Sequence, residues 1–182
     1  MSRRLSRSNK ERNTLSINET YKSLVSIINF SFQNEFYLKA NFPAMKKDEW
    51  QKIKESQLTE VEIYTSFDLL SSIEARFTLD YHIRCEKRFR DEITERFREL
   101  KGELETKSQR VEFEKDILEI WKNCYPQENI FSEIKSMFKY RHWIAHGRYW
   151  NPKLGRKYDF TYISLISANI DSFLYQYTYP SI

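Results

Sequence analysis

Apolar side chains recur along this chain at intervals of three and four, the spacing that lines one face of an α-helix. Leu24, Ile27, Ile28, Phe32 and Phe36 follow this rule after Ser16, a candidate N-cap, and predict a first helix ending before Pro43. Residues 43–57 are polar, with Trp50 and Ile53 as their apolar anchors, and the pattern leaves their state open. Thr59 is placed to cap a long second helix with the stripe Ile63, Phe67, Leu70, Glu74, Phe77 and Tyr81. A third helix carries Phe89, Ile93, Phe97, Leu100 and Leu104, and Gly102 is where it would weaken or end. A fourth carries Val111, Glu114, Leu118 and Trp121, with Phe113, Ile117 and Ile120 alongside, and ends near Pro126. A fifth runs from about Asn129 through Ile130, Ile134, Met137, Phe138, Arg141 and Ala145, with Gly147 as its C′ residue. After a loop containing Pro152 and Gly155, the last helix carries Ile163, Ile166, Ile170, Phe173, Leu174 and Tyr177, and Pro180 stops it. The pattern predicts an all-α fold: one helical domain over residues 16–182, a bundle of five to six helices.

Composition agrees. Three glycines and four prolines leave little turn punctuation for a many-stranded sandwich or barrel. Aromatic residues make up 16% of the chain, which supplies an interior despite a charged fraction of 31%. No apolar run approaches the ~20 residues of a membrane span, so no membrane partner is expected. Cys85 and Cys124 each lack a neighbouring cysteine at metal-ligand spacing, which argues against a zinc site or a disulfide framework. Isolated thiols fit a reducing, cytoplasmic location. The first residues have no apolar stretch of the secretory type, and Glu11 argues against a transit peptide.

Charge is unevenly placed. In residues 1–15, Arg3, Arg4, Arg7, Lys10 and Arg12 stand against Glu11 and account for the whole net charge of +4. This stretch reads as a disordered, solubilising tail rather than a dedicated nucleic-acid arm. The paired charges of residues 84–116 read as a solvated surface or a protruding hairpin.

Residues 134–158 differ from the rest. They hold Lys135, Lys139, Arg141, Arg148, Lys153, Arg156 and Lys157 and no acid, interleaved with Phe138, Tyr140, Trp143, Tyr149, Trp150 and Tyr158. Cations answer phosphates and aromatic faces answer unstacked bases, so this segment suits a single-stranded nucleic acid. Lys139, Arg148, Tyr149, Trp150 and Lys153 are the candidate RNA contacts, and Phe138 and Trp143 are assigned to the core. Glu74 and Arg141 both fall where their helices should be apolar, and a charge in a bundle interior needs a partner. They are therefore expected to meet or to line one cleft. The alternative is that Ile73 faces inward in place of Glu74 and that Arg141 reaches outward.

The run Arg141-His142-Trp143-Ile144-Ala145-His146-Gly147 resembles the Arg-x(4–6)-His signature of the HEPN superfamily. Its setting, late in an all-helical chain and followed by a loop and one more helix, is similar as well. The position after the arginine is most often Asn in that family and is His142 here. Arg76 and His82 match the bare spacing too, but sit among acids and lack the Ala-His-Gly context. The resemblance implies a metal-independent endoribonuclease with no cofactor, of the kind that acts as a toxin or an anti-phage effector. Arg141 and His146 would be catalytic, with His142 and Glu74 in support. An imidazole of ordinary pKa, ~6.5, can take the proton of a ribose 2′-hydroxyl near neutral pH. A guanidinium fork can hold the phosphorane oxygens. The products would be a 2′,3′-cyclic phosphate and a 5′-hydroxyl, and DNA would be spared. The resemblance further implies a homodimer that brings two signatures together in one positively lined groove, and an antitoxin protein as partner. A non-catalytic HEPN module binding RNA, a nucleotide or a protein partner is the other reading.

Overall fold

The computed structural model describes residues 12–87 and 89–178. The basic residues up to Lys10 and the predicted stop at Pro180 lie outside the described residues. Helix α1 spans Thr14–Ser31, and its cap is Asn13 rather than Ser16: the Asn13 side chain accepts from Ser16 N at 2.8 Å. The predicted single helix up to Pro43 is two helices. The Asn34 side chain accepts from Tyr37 N and starts α2, Glu35–Asn41. Helix α3 then runs over Lys47–Lys87, 41 residues, absorbing the polar stretch whose state the pattern left open. Lys46 N donates to Glu49 Oε2 at 2.7 Å and satisfies an end that a sequence stripe cannot reveal. Helices α4 (Glu92–Thr106), α5 (Leu118–Cys124), α6 (Ile130–Ala145) and α7 (Phe160–Thr178) complete the order. Gly102 does not end α4, which continues to Thr106. The fold is all-α, as expected, with seven helices instead of five to six, and no strand occurs among the described residues. The extra helix comes from the break at Asn34.

The inner half of α3 is the spine of the bundle. Leu69, Leu70, Ile73, Phe77 and Tyr81 are buried there, against Ile17 of α1, Phe131, Ile134 and Phe138 of α6, and Ile163 and Ile170 of α7. Trp121 fills the centre, edge-on to Phe77 and Phe173. Burying a side chain of this size contributes on the order of 2–3 kcal/mol.

The charge-rich stretch from Arg84 is only partly a solvated surface. Arg84 is 1% exposed. It donates to Asp80 and Asp91, each at 2.9 Å, and to the Tyr177 carbonyl at 2.7 Å. Its guanidinium also lies over the Trp121 ring. Asp91 at the same time caps α4 through Thr94 N. One arginine thus ties α3, α4 and α7 together.

Residues 113–117 form a π-helical turn before α5. The wide turn inserts a residue into the helical phase. Phe113, Ile117, Leu118 and Trp121 consequently all point to the core, while Glu114, which the periodicity placed in the apolar stripe, is turned to the α6 side.

Helix α6 ends as Gly147 predicted. Gly147 N donates to the Ile144 carbonyl and Arg148 N to the Trp143 carbonyl, closing a Schellman motif with Gly147 at φ +81°. Nothing lies within 4 Å of a Cβ added there, so the cost of a side chain is conformational. Gly147→Ala should lower unfolding stability by about 1 kcal/mol in urea titrations. An unchanged midpoint would contradict this cap.

Candidate functional site

Helix α6 forms the floor of an open groove of about 610 Å³ between α3 and the π-turn. Glu74 stands on the α3 wall, Glu112, Glu114 and Lys115 on the π-turn wall, and Phe138, Arg141 and His142 on the floor. The Arg141 side chain is 23% exposed, and its Nη2 lies 2.7 Å from Glu74 Oε2 as an ion pair. Its Cζ lies 5.6 Å from the Phe67 ring centre and 5.5 Å from that of Phe138. Nε is buried without a partner. Nη1 has no partner among the described residues. The two misplaced charges of the sequence do meet. Ile73, not Glu74, faces the core, as the alternative had it, but Arg141 meets Glu74 at the groove, as the first reading had it.

His142 is held from the other wall, its Nε2 at 2.6 Å from Glu114 Oε1. Glu114 went unremarked in the sequence except as an acid in an apolar stripe, the same signal that singled out Glu74. His146, the C-cap of α6, is exposed and does not line the groove. The reason is helical phase. Residues five apart lie about 140° apart around a helix, whereas residues four apart lie about 40° apart. His146 therefore stands over His142, with ring centres 6.5 Å apart and planes 28° apart. The Trp150 ring follows at 6.3 Å from His146, and Tyr149 is edge-on to Trp150 at 4.7 Å. A row of four rings runs from the groove to the loop tip, where Tyr149 is 84% exposed.

The remaining candidates divide. Arg148 is tied to Glu60 of α3 at 2.7 Å and does not extend freely as an RNA contact. Lys139 and Lys153 are exposed, with no carboxylate partner among the described residues. Phe138 is buried in the core, as assigned. Trp143 is half-buried, and its Nε1 donates to the Trp150 carbonyl at 2.7 Å, which pins the loop to α6. Tyr140 is buried, and burial pushes its hydroxyl up to about 12, so it holds its proton at neutral pH. The expected positively lined groove is corrected. Lys135, Arg141, Arg148 and Arg156 pair with Glu119, Glu74, Glu60 and Glu133, which is four of the seven cations of the acid-free segment. The groove itself carries three carboxylates against Lys115 and Arg141. An acid-free stretch says nothing about acids on neighbouring helices. The Arg76 match to the signature is a structural pair: Arg76 donates to Asp171 and to Ser167 of α7.

Among the described residues no group of three His, Cys, Asp or Glu is arranged to hold a metal ion, and no helix is long and apolar enough to cross a membrane. No family model matches the chain, and no curated protein or solved structure matches it.

Proposed function

We propose that this protein is a HEPN-type endoribonuclease that cleaves RNA by internal transesterification without a metal. The observation that carries the reading is Arg141, clamped by Glu74 in an open groove, beside a row of rings that begins at His142 and His146. The unpartnered Nη1 of Arg141 is available to a phosphate oxygen, and Glu74 holds the fork in place without closing it. His146 takes the 2′-hydroxyl proton, the 2′-oxygen attacks phosphorus, and the bond to the 5′-oxygen breaks. Tyr149 and Trp150 offer faces to unstacked bases, and Lys139 and Lys153 answer flanking phosphates. The assemblies that fit this reading are a homodimer and a complex with an antitoxin protein, in a cytoplasmic toxin or anti-phage effector.

The test is incubation of pure protein with RNA in EDTA. Cleavage is expected, with 2′,3′-cyclic phosphate and 5′-hydroxyl ends and with DNA left intact. His146→Ala should slow it at least ~100-fold. RNA left whole at every protein concentration, or a His146→Ala variant as fast as the parent, would overturn the reading.

A second reading, a non-catalytic HEPN module, draws on the three groove carboxylates, which weaken attraction for a polyanion. Salt-sensitive RNA binding without products would favour it.

A further inference from the structure

The ribonuclease reading leaves a chemical gap. Breaking the bond to the 5′-oxygen releases an alkoxide that needs a proton, and His146, as base, has just gained one on the other side of phosphorus. We propose that His142, held by Glu114 of the π-turn, is the general acid. This inference rests on the ribonuclease reading of the same site.

Three observations carry it. The first is the bond between His142 Nε2 and Glu114 Oε1 at 2.6 Å. A carboxylate against one ring nitrogen keeps a proton there in both charge states of the imidazole. The proton that comes and goes is then the one on Nδ1, which has no partner among the described residues. The second is spacing. The His142 and His146 rings follow one another on α6 with centres 6.5 Å apart, so the two imidazoles are neighbours at one end of the helix. The third is that His142 and Arg141 line the same groove, which places the acid beside the cation that holds the phosphate. The π-turn is what aims Glu114 at α6, and such turns recur at functional sites.

The step balances. His146 receives the 2′-hydroxyl proton, the 2′-oxygen bonds to phosphorus, and the phosphorus–5′-oxygen bond breaks. His142 Nδ1 gives its proton to the departing oxygen. Exchange with water then returns the proton on His146 to solvent and restores the one on His142. Glu114 touches neither substrate nor reacting atoms and is a positioning residue.

A leaving group that needs no proton tests the assignment. An oligoribonucleotide cut by the parent protein is compared with the same strand carrying sulfur in place of the scissile 5′-oxygen. His142→Ala is expected to cut the ordinary strand about 100-fold more slowly than the parent and the thio strand at nearly the parental rate. Glu114→Ala should show the same pattern at about 10-fold, and the double variant should be no slower than His142→Ala, because the two act as a unit. His146→Ala should stay slow on both strands. Unfolding curves separate a misfolded variant from a catalytic loss, and a folded Glu114→Gln should behave like Glu114→Ala. A His142→Ala variant equally slow on both strands, or as fast as the parent on the ordinary one, overturns the acid assignment while leaving the ribonuclease standing. A parent protein that cuts no RNA removes both.

Discussion

Arg141→Ala is expected to slow RNA cleavage by about 100- to 1000-fold while leaving the protein folded, the loss typical of removing one fixed donor to a developing oxyanion. The guanidinium is partly exposed, as is its partner Glu74, so their ion pair contributes no more than about 1 kcal/mol to stability. The catalytic loss should therefore appear without a comparable fall in Tm. Arg141→Lys should recover little. A single ammonium nitrogen lacks the planar fork that can face Glu74 with one nitrogen and a phosphate with another. Glu74→Gln should cost about 10-fold, since it loosens the fork without removing it. Cleavage assays on the three variants, with melting curves beside them, check the order. An Arg141→Ala protein that cuts at the parental rate would remove Arg141 from the chemistry.

Arg84→Ala should produce the largest loss of stability, roughly 3–5 kcal/mol, or a fall in Tm on the order of 10 °C. Arg84 is buried with four anchors: Asp80, Asp91, Thr94 and the Tyr177 carbonyl. Truncation takes the guanidinium away from the Asp80 carboxylate, 3% exposed, and removes the contact over Trp121. It also removes the hydrogen bond to the Tyr177 carbonyl in the last turn of α7. The contrast is Arg96→Ala, whose exposed pair with Glu92 on α4 should leave stability nearly unchanged. Chemical denaturation of both variants measures the difference, and near-equal values would show that burial of Arg84 counts for little.

Two arginines thus stand opposite to what their sequence settings suggest. Arg84 lies in a charge-rich stretch that reads as surface, and it is among the most buried side chains. Arg141 lies in an apolar stripe, and it is a partly exposed groove residue. Spacing tells which face of a helix a residue occupies. It does not tell what stands opposite that face, because Asp91, Tyr177 and Glu74 arrive from other helices.

The same holds at the signature. The link between Glu74 and Arg141 was legible, since two charges in two apolar stripes have one economical resolution. The Glu114–His142 bond was not, because it depends on a π-turn that shifts helical phase by one residue, and no periodicity announces such a turn. Nor was the neutralisation of the acid-free segment, whose counter-charges come from α3, α5 and the first turn of α6.

By itself, the sequence determined the all-helical class, the core stripes, the end of α6 at Gly147 and the meeting of Glu74 with Arg141. These follow from local rules: side-chain spacing, the left-handed preference of glycine, and the low content of turn residues. Tertiary structure alone decided the burial of Arg84, the pairing of His142 with Glu114 and the tying of Arg148 to Glu60. Those outcomes depend on helical phase and on partners distant in the chain, and the burial or exposure of a charge is set by the groups packed against it.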